Sequence, residues 1–159
     1  MHEFTRTVSL AAGPARVWET ITDFAKYSAI VPQFREVAEE SSGQDRARVR
    51  FLLSLPVKNV AYRLDYQMIP GRKLSWRMVD SDTLEDNSGE WLVEQDGKGT
   101  KVTYTHRVKF PAWIAWAVSQ PAFEKEMGKT LDKFIAHIDG PKPESDAQRI
   151  IRMMDERDS

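Results

Sequence analysis

Apolar positions recur along this chain with two different periods, and the switch between them divides it. Val60, Tyr62, Leu64, Tyr66 and Met68 alternate with Ala61, Arg63, Asp65 and Gln67, a clean period of two. Ala47, Val49, Phe51 and Leu53 alternate in the same way, as do Leu74, Trp76 and Met78. Val102, Tyr104, His106, Val108 and Phe110 repeat the pattern near residue 100. Each such run predicts a strand with one wet and one buried face, as antiparallel sheets have. Further strands are expected over residues 2–10, 34–40 and 83–94, with turns at Pro70-Gly71 and Asp96-Gly97-Lys98-Gly99. The period then changes. Phe123, Met127, Leu131, Phe134 and Ile138 recur in steps of four, four, three and four, one stripe of a helix read over 113–138. At 1.5 Å per residue that helix spans roughly 39 Å. Pro121 within it is expected to kink or break it, separating a first segment from the main one.

Between the first strand and the rest, Pro14 opens a short helix carrying Val17, Trp18 and Ile21. Asp23 is a candidate cap for a second short helix over 24–27. The spacing leaves no room for helical crossovers. The expected fold class is α+β: a strongly curved antiparallel sheet of about seven strands, wrapped around one long C-terminal helix. Residues 1–140 read as one domain. Residues 141–159 read as a tail, with a mobile stretch over 141–146 and a helical turn carrying Ile150, Ile151, Met153 and Met154.

Composition narrows the chemistry. A net charge of −1 argues against broad nucleic-acid binding, and no DNA partner is expected. The chain has no cysteine, so disulfides and thiolate chemistry are excluded. His2, His106 and His137 lie at no spacing that completes a metal site or triad, and neither metal nor cofactor is expected. No secretory leader or membrane span is visible, so a cytoplasmic location is the expectation.

The stretch Ala-Gly-Pro-Ala-Arg-Val-Trp-Glu-Thr-Ile-Thr-Asp-Phe-Ala-Lys-Tyr (12–27) is followed by Val31-Pro32 and Val37. It resembles the opening of the START-like helix-grip (SRPBCC) superfamily. Leu-Ser-Trp-Arg (74–77), Gly89, Trp91 and the Thr100-Val102-Tyr104 strand extend the resemblance over about residues 3–138. Within the superfamily the chain is most similar to the polyketide cyclase/dehydrase and coenzyme Q-binding group. That resemblance implies a helix-grip fold, with two short helices after the first strand. It leaves function open among lipid and quinone carriers, aromatase/cyclases and ribosome-associated proteins.

The inward positions assemble one candidate ligand-binding set: Val49, Phe51, Tyr62, Leu64, Tyr66, Trp76, Asn87, Trp91, Tyr104, His106, Met127, Leu131 and Phe134. Singly, each of these reads as core. Together, several Tyr and Trp and a His on one concave face suit a small-molecule cleft better than a dry core. Asn87 stands where many relatives carry a large apolar residue, and a bulge at Ser88-Gly89 is what would turn it outward. His106 is the weak candidate for catalysis, set against a core histidine bonded to a tyrosine. Arg48, Arg50, Arg63 and Arg77 share the outward parity, either as a solvated face or as a dock for anionic lipid or RNA. Trp113, Ile114, Trp116 and Val118 open the last helix, either as packing or as an entrance touching a membrane transiently. Three functions follow. The first is a carrier for a hydrophobic small molecule such as a quinone, lipid or polyketide-like compound. The others are an aromatase/cyclase or dehydratase and a ribosome- or protein-interaction module.

Overall fold

The computed structural model describes residues 1–56, 58–140 and 146–157. β1 (His2–Leu10) leads into α1 (Pro14–Thr22), a 3-10 turn (Phe24–Lys26) and α2 (Tyr27–Ile30). Six strands follow: β2 (Phe34–Gly43), β3 (Arg46–Ser54), β4 (Asn59–Ile69), β5 (Lys73–Ser81), β6 (Asp86–Asp96) and β7 (Gly99–Lys109). The chain closes with α3 (Ala112–Ala115), α4 (Gln120–Asp139) and α5 (Asp146–Arg157). The strands form one seven-stranded antiparallel sheet in the order β1-β7-β6-β5-β4-β3-β2. This is an α+β helix-grip fold, with the sheet curved around α4. Irregularities at Phe34/Glu36, Glu39/Ser41 and Arg63/Leu64 add local bends to the β2–β3 and β4–β5 pairs.

Four expectations need correcting. The helix read over 113–138 is two helices, and Pro121 sits in the first turn of the second. Ser119 caps α4 there, its hydroxyl accepting from the Ala122 N–H at 3.2 Å. A proline is tolerated at a helix start because its missing N–H has no partner there anyway. The main helix is therefore 20 residues, about 30 Å. The strand expected from residue 83 begins only at Asp86, because the Ser81 hydroxyl accepts from the Thr83 and Leu84 N–H groups and holds a turn. Asp23 makes no side-chain cap, and a 3-10 turn stands where a regular helix start was expected. Strand β2 runs on to Gly43 rather than stopping at residue 40.

In the tail, α5 presents Ile150, Ile151, Met153 and Met154 to solvent. The mobile stretch expected over 141–146 lies outside the described residues up to residue 145. No described helix is long and apolar enough to cross a membrane.

The core lies between the concave face and α4. Phe123, Leu131, Phe134 and Ile138 of the helix stripe are buried, and Met127 is half-buried against them. Short polar ties fix both ends of α4. At its C-terminus the Asp139 carboxylate accepts from the Ala11 and Ala12 N–H groups at 2.7 and 2.9 Å. At its N-terminus Gln120 donates to the Glu3 carbonyl at 2.7 Å, and His2 donates through Nε2 to the Val118 carbonyl at 2.6 Å.

Candidate functional site

The inward residues of the sheet form a continuous aromatic lining. Phe51 and Tyr62 stack with centroids 5.1 Å apart, and Tyr66 packs on Phe24 at 4.6 Å and on Trp76 at 5.9 Å. Trp91 meets Tyr104 at 4.6 Å and Phe134 at 5.3 Å. Val49, Leu64 and Leu131 fill the spaces between rings and are buried. Ten of the thirteen expected positions lie on strands of the sheet's concave side, and Leu131 and Phe134 meet them from α4. Met127 is at the margin of this set.

Gly89 explains how Trp76 fits. It is directly opposite Trp76 in the β5–β6 register, and a Cβ there would overlap both the indole ring and the Thr105 carbonyl. The missing side chain leaves the indole flat against β6, with its N–H reaching Asn87.

Four side chains then form one hydrogen-bonded chain. The Trp76 N–H donates to Asn87 Oδ1 at 3.2 Å, His106 Nε2 lies 2.8 Å from the same oxygen, and Tyr104 Oη lies 2.8 Å from His106 Nδ1. An indole nitrogen only donates, so it fixes which end of the Asn87 amide is oxygen. His106 must then donate through Nε2 and accept at Nδ1, which makes Tyr104 the donor to it. Burial pushes the His106 imidazole down to about 4, so this neutral tautomer is the form present at neutral pH. The structure places Asn87 on the inward parity because the β6–β7 register runs unbroken from Asp86↔Lys109 to Asp96↔Gly99, with no bulge at Ser88-Gly89.

Among the described residues, the Asn87 NH2 and the Tyr62 and Tyr66 hydroxyls have no hydrogen-bond partner, whereas Tyr27 donates to the Ile21 carbonyl. Among the described residues no fully enclosed polar side-chain atom lacks a partner. Each of the three groups therefore still touches free space, although Tyr62, Tyr66 and Asn87 are at most 5% exposed. Burial raises both phenols above the ordinary tyrosine range, so they remain protonated donors.

The sheet itself opens beside Asn87. β5 pairs with β6 only from Lys73↔Leu92 to Arg77↔Ser88. Beyond that point Met78, Asp80 and Ser81 of β5 pair with β4, while Asp86 and Asn87 pair with β7. Met78, Leu84, His106 and Phe110 around this split are all half-buried. Phe123, at the start of α4, lies 6.5 Å from His106 and 6.4 Å from Phe110. Between β7 and α4, Trp113 of α3 and Trp116 just after it are 62% and 83% exposed.

Sequence reading missed Phe123 as the neighbour of His106. Its place at the head of the helix stripe was the available signal. The contact of Phe24 with Tyr66 had none, because it depends on how the short helices dock.

The outward arginines are largely neutralised. Arg48 pairs with Asp65 through two bonds of 2.7 and 3.0 Å, and its guanidinium holds that carboxyl below the usual range. Arg63 pairs with Asp80 and Glu40, and Arg50 with Glu36. A depression of about 550 Å3 lies across the outer face, bounded by Ser41, Arg46, Arg48, Gln67 and Arg77 among others. Among the described residues no three His or carboxylate groups are gathered to hold a metal ion.

The comparisons agree with this architecture. The profile of a family described as polyketide cyclase/dehydrase and lipid transport matches residues 1–139. A START superfamily protein from Mycobacterium smegmatis superposes with a TM-score of 0.72 at 15% identity, over 88% of this chain and 96% of that one. The Zhui aromatase/cyclase from a Streptomyces species superposes at 0.64 with 21% identity, over 86% of this chain and 84% of that one. TTHA0849 from Thermus thermophilus gives 0.68 at 15% identity, over 85% and 98%. At these identities the likeness is one of fold. No curated protein sequence matches the chain.

Proposed function

Since this chain belongs to the polyketide cyclase/dehydrase and lipid transport family, we propose that it binds a hydrophobic small molecule between the concave face of its sheet and α4. The site is the set named from the sequence: Val49, Phe51, Tyr62, Leu64, Tyr66, Trp76, Asn87, Trp91, Tyr104, His106, Met127, Leu131 and Phe134. The observation that carries this reading is the set of unpartnered polar groups at Tyr62, Tyr66 and Asn87, all touching free space inside an otherwise apolar interior. An interior selected only for stability would leave no such groups, because a lost hydrogen bond in a buried setting costs on the order of 1–3 kcal/mol.

The ligand is of the quinone, lipid or polyketide-like kind. Its ring or chain would lie on the aromatic lining, where burial contributes about 25 cal/mol per Å² of apolar surface. Ingress is at the split between β5 and β6 and under α3. There, Met78 and Met127 are flexible enough to yield. Trp113 and Trp116 sit at the rim, where a transient contact with a membrane surface would assist transfer.

The carrier reading is preferred over a cyclase or dehydratase. Both ring nitrogens of His106 are already engaged, and burial pushes its imidazole to about 4, leaving it a weak base at neutral pH. The ion-paired outer arginines give an interaction module less local support than a bare basic stripe would. The test is native mass spectrometry of gently purified protein alongside analysis of its organic extract. A stoichiometric quinone, lipid or polyketide-like compound is the expected result. A bare chain mass, with no thermal shift across a panel of quinones and lipids, overturns the proposal.

A further inference from the structure

The outer face of the sheet holds a recess of its own, on the far side of the backbone from the interior. Its volume is about 550 Å3, and it runs across β2, β3, β4 and β5. The strand register explains its shape. Ala47, Tyr66 and Trp76 are paired neighbours with side chains buried on the concave side, so their backbone forms the floor. The outward side chains that flank this row form the walls. Arg48, Asp65 and Arg77 pair across one side, and Arg46, Gln67 and Ser75 across the other. At the β2 end Ser41, Ser42 and Gly43 are too short to fill the space.

Charge in this recess is out of balance. Asp65 is the one carboxylate in its lining, and Arg48 already holds it through bonds of 2.7 and 3.0 Å. Arg77 stands opposite Asp65 and acts on it through space rather than by a bond. Among the described residues neither Arg46 nor Arg77 forms an ion pair. Elsewhere on the same face the match is closer: Arg50 has Glu36, Lys73 has Glu90 and Arg107 has Glu3. Two unmatched guanidinium groups thus stand on opposite walls. With strands about 4.8 Å apart and alternate residues about 6.7 Å apart, the two Cα atoms are separated by roughly 12 Å. An anion midway between them lies within reach of both side chains.

We propose that this recess binds a soluble phosphate monoester that carries hydroxyl groups, of the sugar-phosphate class. A guanidinium presents its N–H groups in a fork that phosphate oxygens accept, and two such forks match a dianion. Ser41, Ser75 and Gln67 supply the short polar partners that hydroxyls need. The lining exposes no ring, because Tyr66 and Trp76 turn inward, so nothing there stacks on a base as single-strand binders do. The site is independent of the interior cleft, and either can fail without the other.

Isothermal titration calorimetry with glucose 6-phosphate, glucose and inorganic phosphate, at one fixed ionic strength, tests this. Glucose 6-phosphate should bind more tightly than glucose by about tenfold or more, and its binding should weaken as salt is raised. Arg46→Gln and Arg77→Gln should each weaken it by about tenfold, the worth of one charge-assisted hydrogen bond. Arg50→Gln, whose cation is matched by Glu36, should change it by less than about twofold. In amide correlation spectra the saturable shifts should centre on Arg46, Gln67, Ser75 and Arg77. An absence of both heat and shifts with glucose 6-phosphate overturns the proposal. So do equal losses from Arg46→Gln and Arg50→Gln, or binding to phosphatidylglycerol vesicles alone.

Discussion

The two ends of the grip are built from similar residues and behave differently. At the C-terminal end of α4, Leu10, Val93, Val102 and Ile138 are buried around Thr100, and Asp139 ties the helix to the chain after β1. At the N-terminal end, the same sheet and helix enclose Asn87, His106 and Trp76. There β5 has parted from β6, and half-buried Met78, Leu84 and Phe110 stand around the gap. The closed end carries stability because its apolar contacts are enclosed and the buried Thr100 hydroxyl there is bonded to the Ala12 carbonyl at 2.6 Å. The open end carries the candidate chemistry because polar groups there keep access to free space. One continuous core thus has a part where the sheet stays paired and a part where it has split.

The largest effect should come from cutting into the closed end. Ile138→Ala removes a buried side chain from the last turn of α4 and should cost about 2–5 kcal/mol. Met127→Ala, about three turns earlier and half-buried, should cost no more than about half as much. Urea titration of both variants checks this, and equal losses would erase the distinction between the ends.

Gly89→Ala falls between the two. Its methyl would overlap the indole of Trp76 and the Thr105 carbonyl, so the ring must shift. A loss of about 1–3 kcal/mol is expected, together with a changed near-UV circular dichroism signal from the displaced indole. An unchanged spectrum would mean that Trp76 does not rest on Gly89.

The third effect depends on pH. The folded imidazole of His106 titrates at about 4 and an unfolded histidine near 6.5, so the unfolded chain binds more protons between those values. Stability should therefore fall as pH is lowered from about 6.5 to about 4, by up to roughly 3 kcal/mol. His106→Gln should flatten the dependence in that window, while the closed-end variant Ile138→Ala should retain it. A His106→Gln protein with the wild-type pH profile would place the titration elsewhere.

What the sequence made legible follows from the two periods. The alternation of Tyr62, Leu64 and Tyr66 with charged neighbours set both the strand and its inward face, and the stripe from Phe123 to Ile138 set the face of α4. The inward turn of Asn87 was readable on the condition that no bulge intervened, and the unbroken β6–β7 register meets that condition. The break before Ser119 was foreshadowed by Pro121, but its position was not, because apolar Trp113 and Trp116 continue a helical pattern in sequence while lying exposed in space. The parting of β5 from β6 had no local signal. It arises from a turn held by Ser81, whose hydroxyl binds backbone groups after the strand, and from pairing choices made between distant segments. The bond from Tyr104 to His106 was foreseen as the bland alternative for that histidine. Its continuation to Asn87 and Trp76 required three strands in register, which no single stretch of sequence displays.

The most direct test of the division between the two ends uses the methionine methyl groups as reporters. Met78 and Met127 flank the open end, while Met68 pairs with Leu74 near the hairpin between β4 and β5. Protein labelled at the methionine methyls would be titrated with 9-fluorenone and followed by carbon–proton correlation spectra. Progressive, saturable shifts at Met78 and Met127 with Met68 unmoved are predicted. Shifts at Met68 alone, or equal small shifts at all the methionines, would contradict an opening at that end.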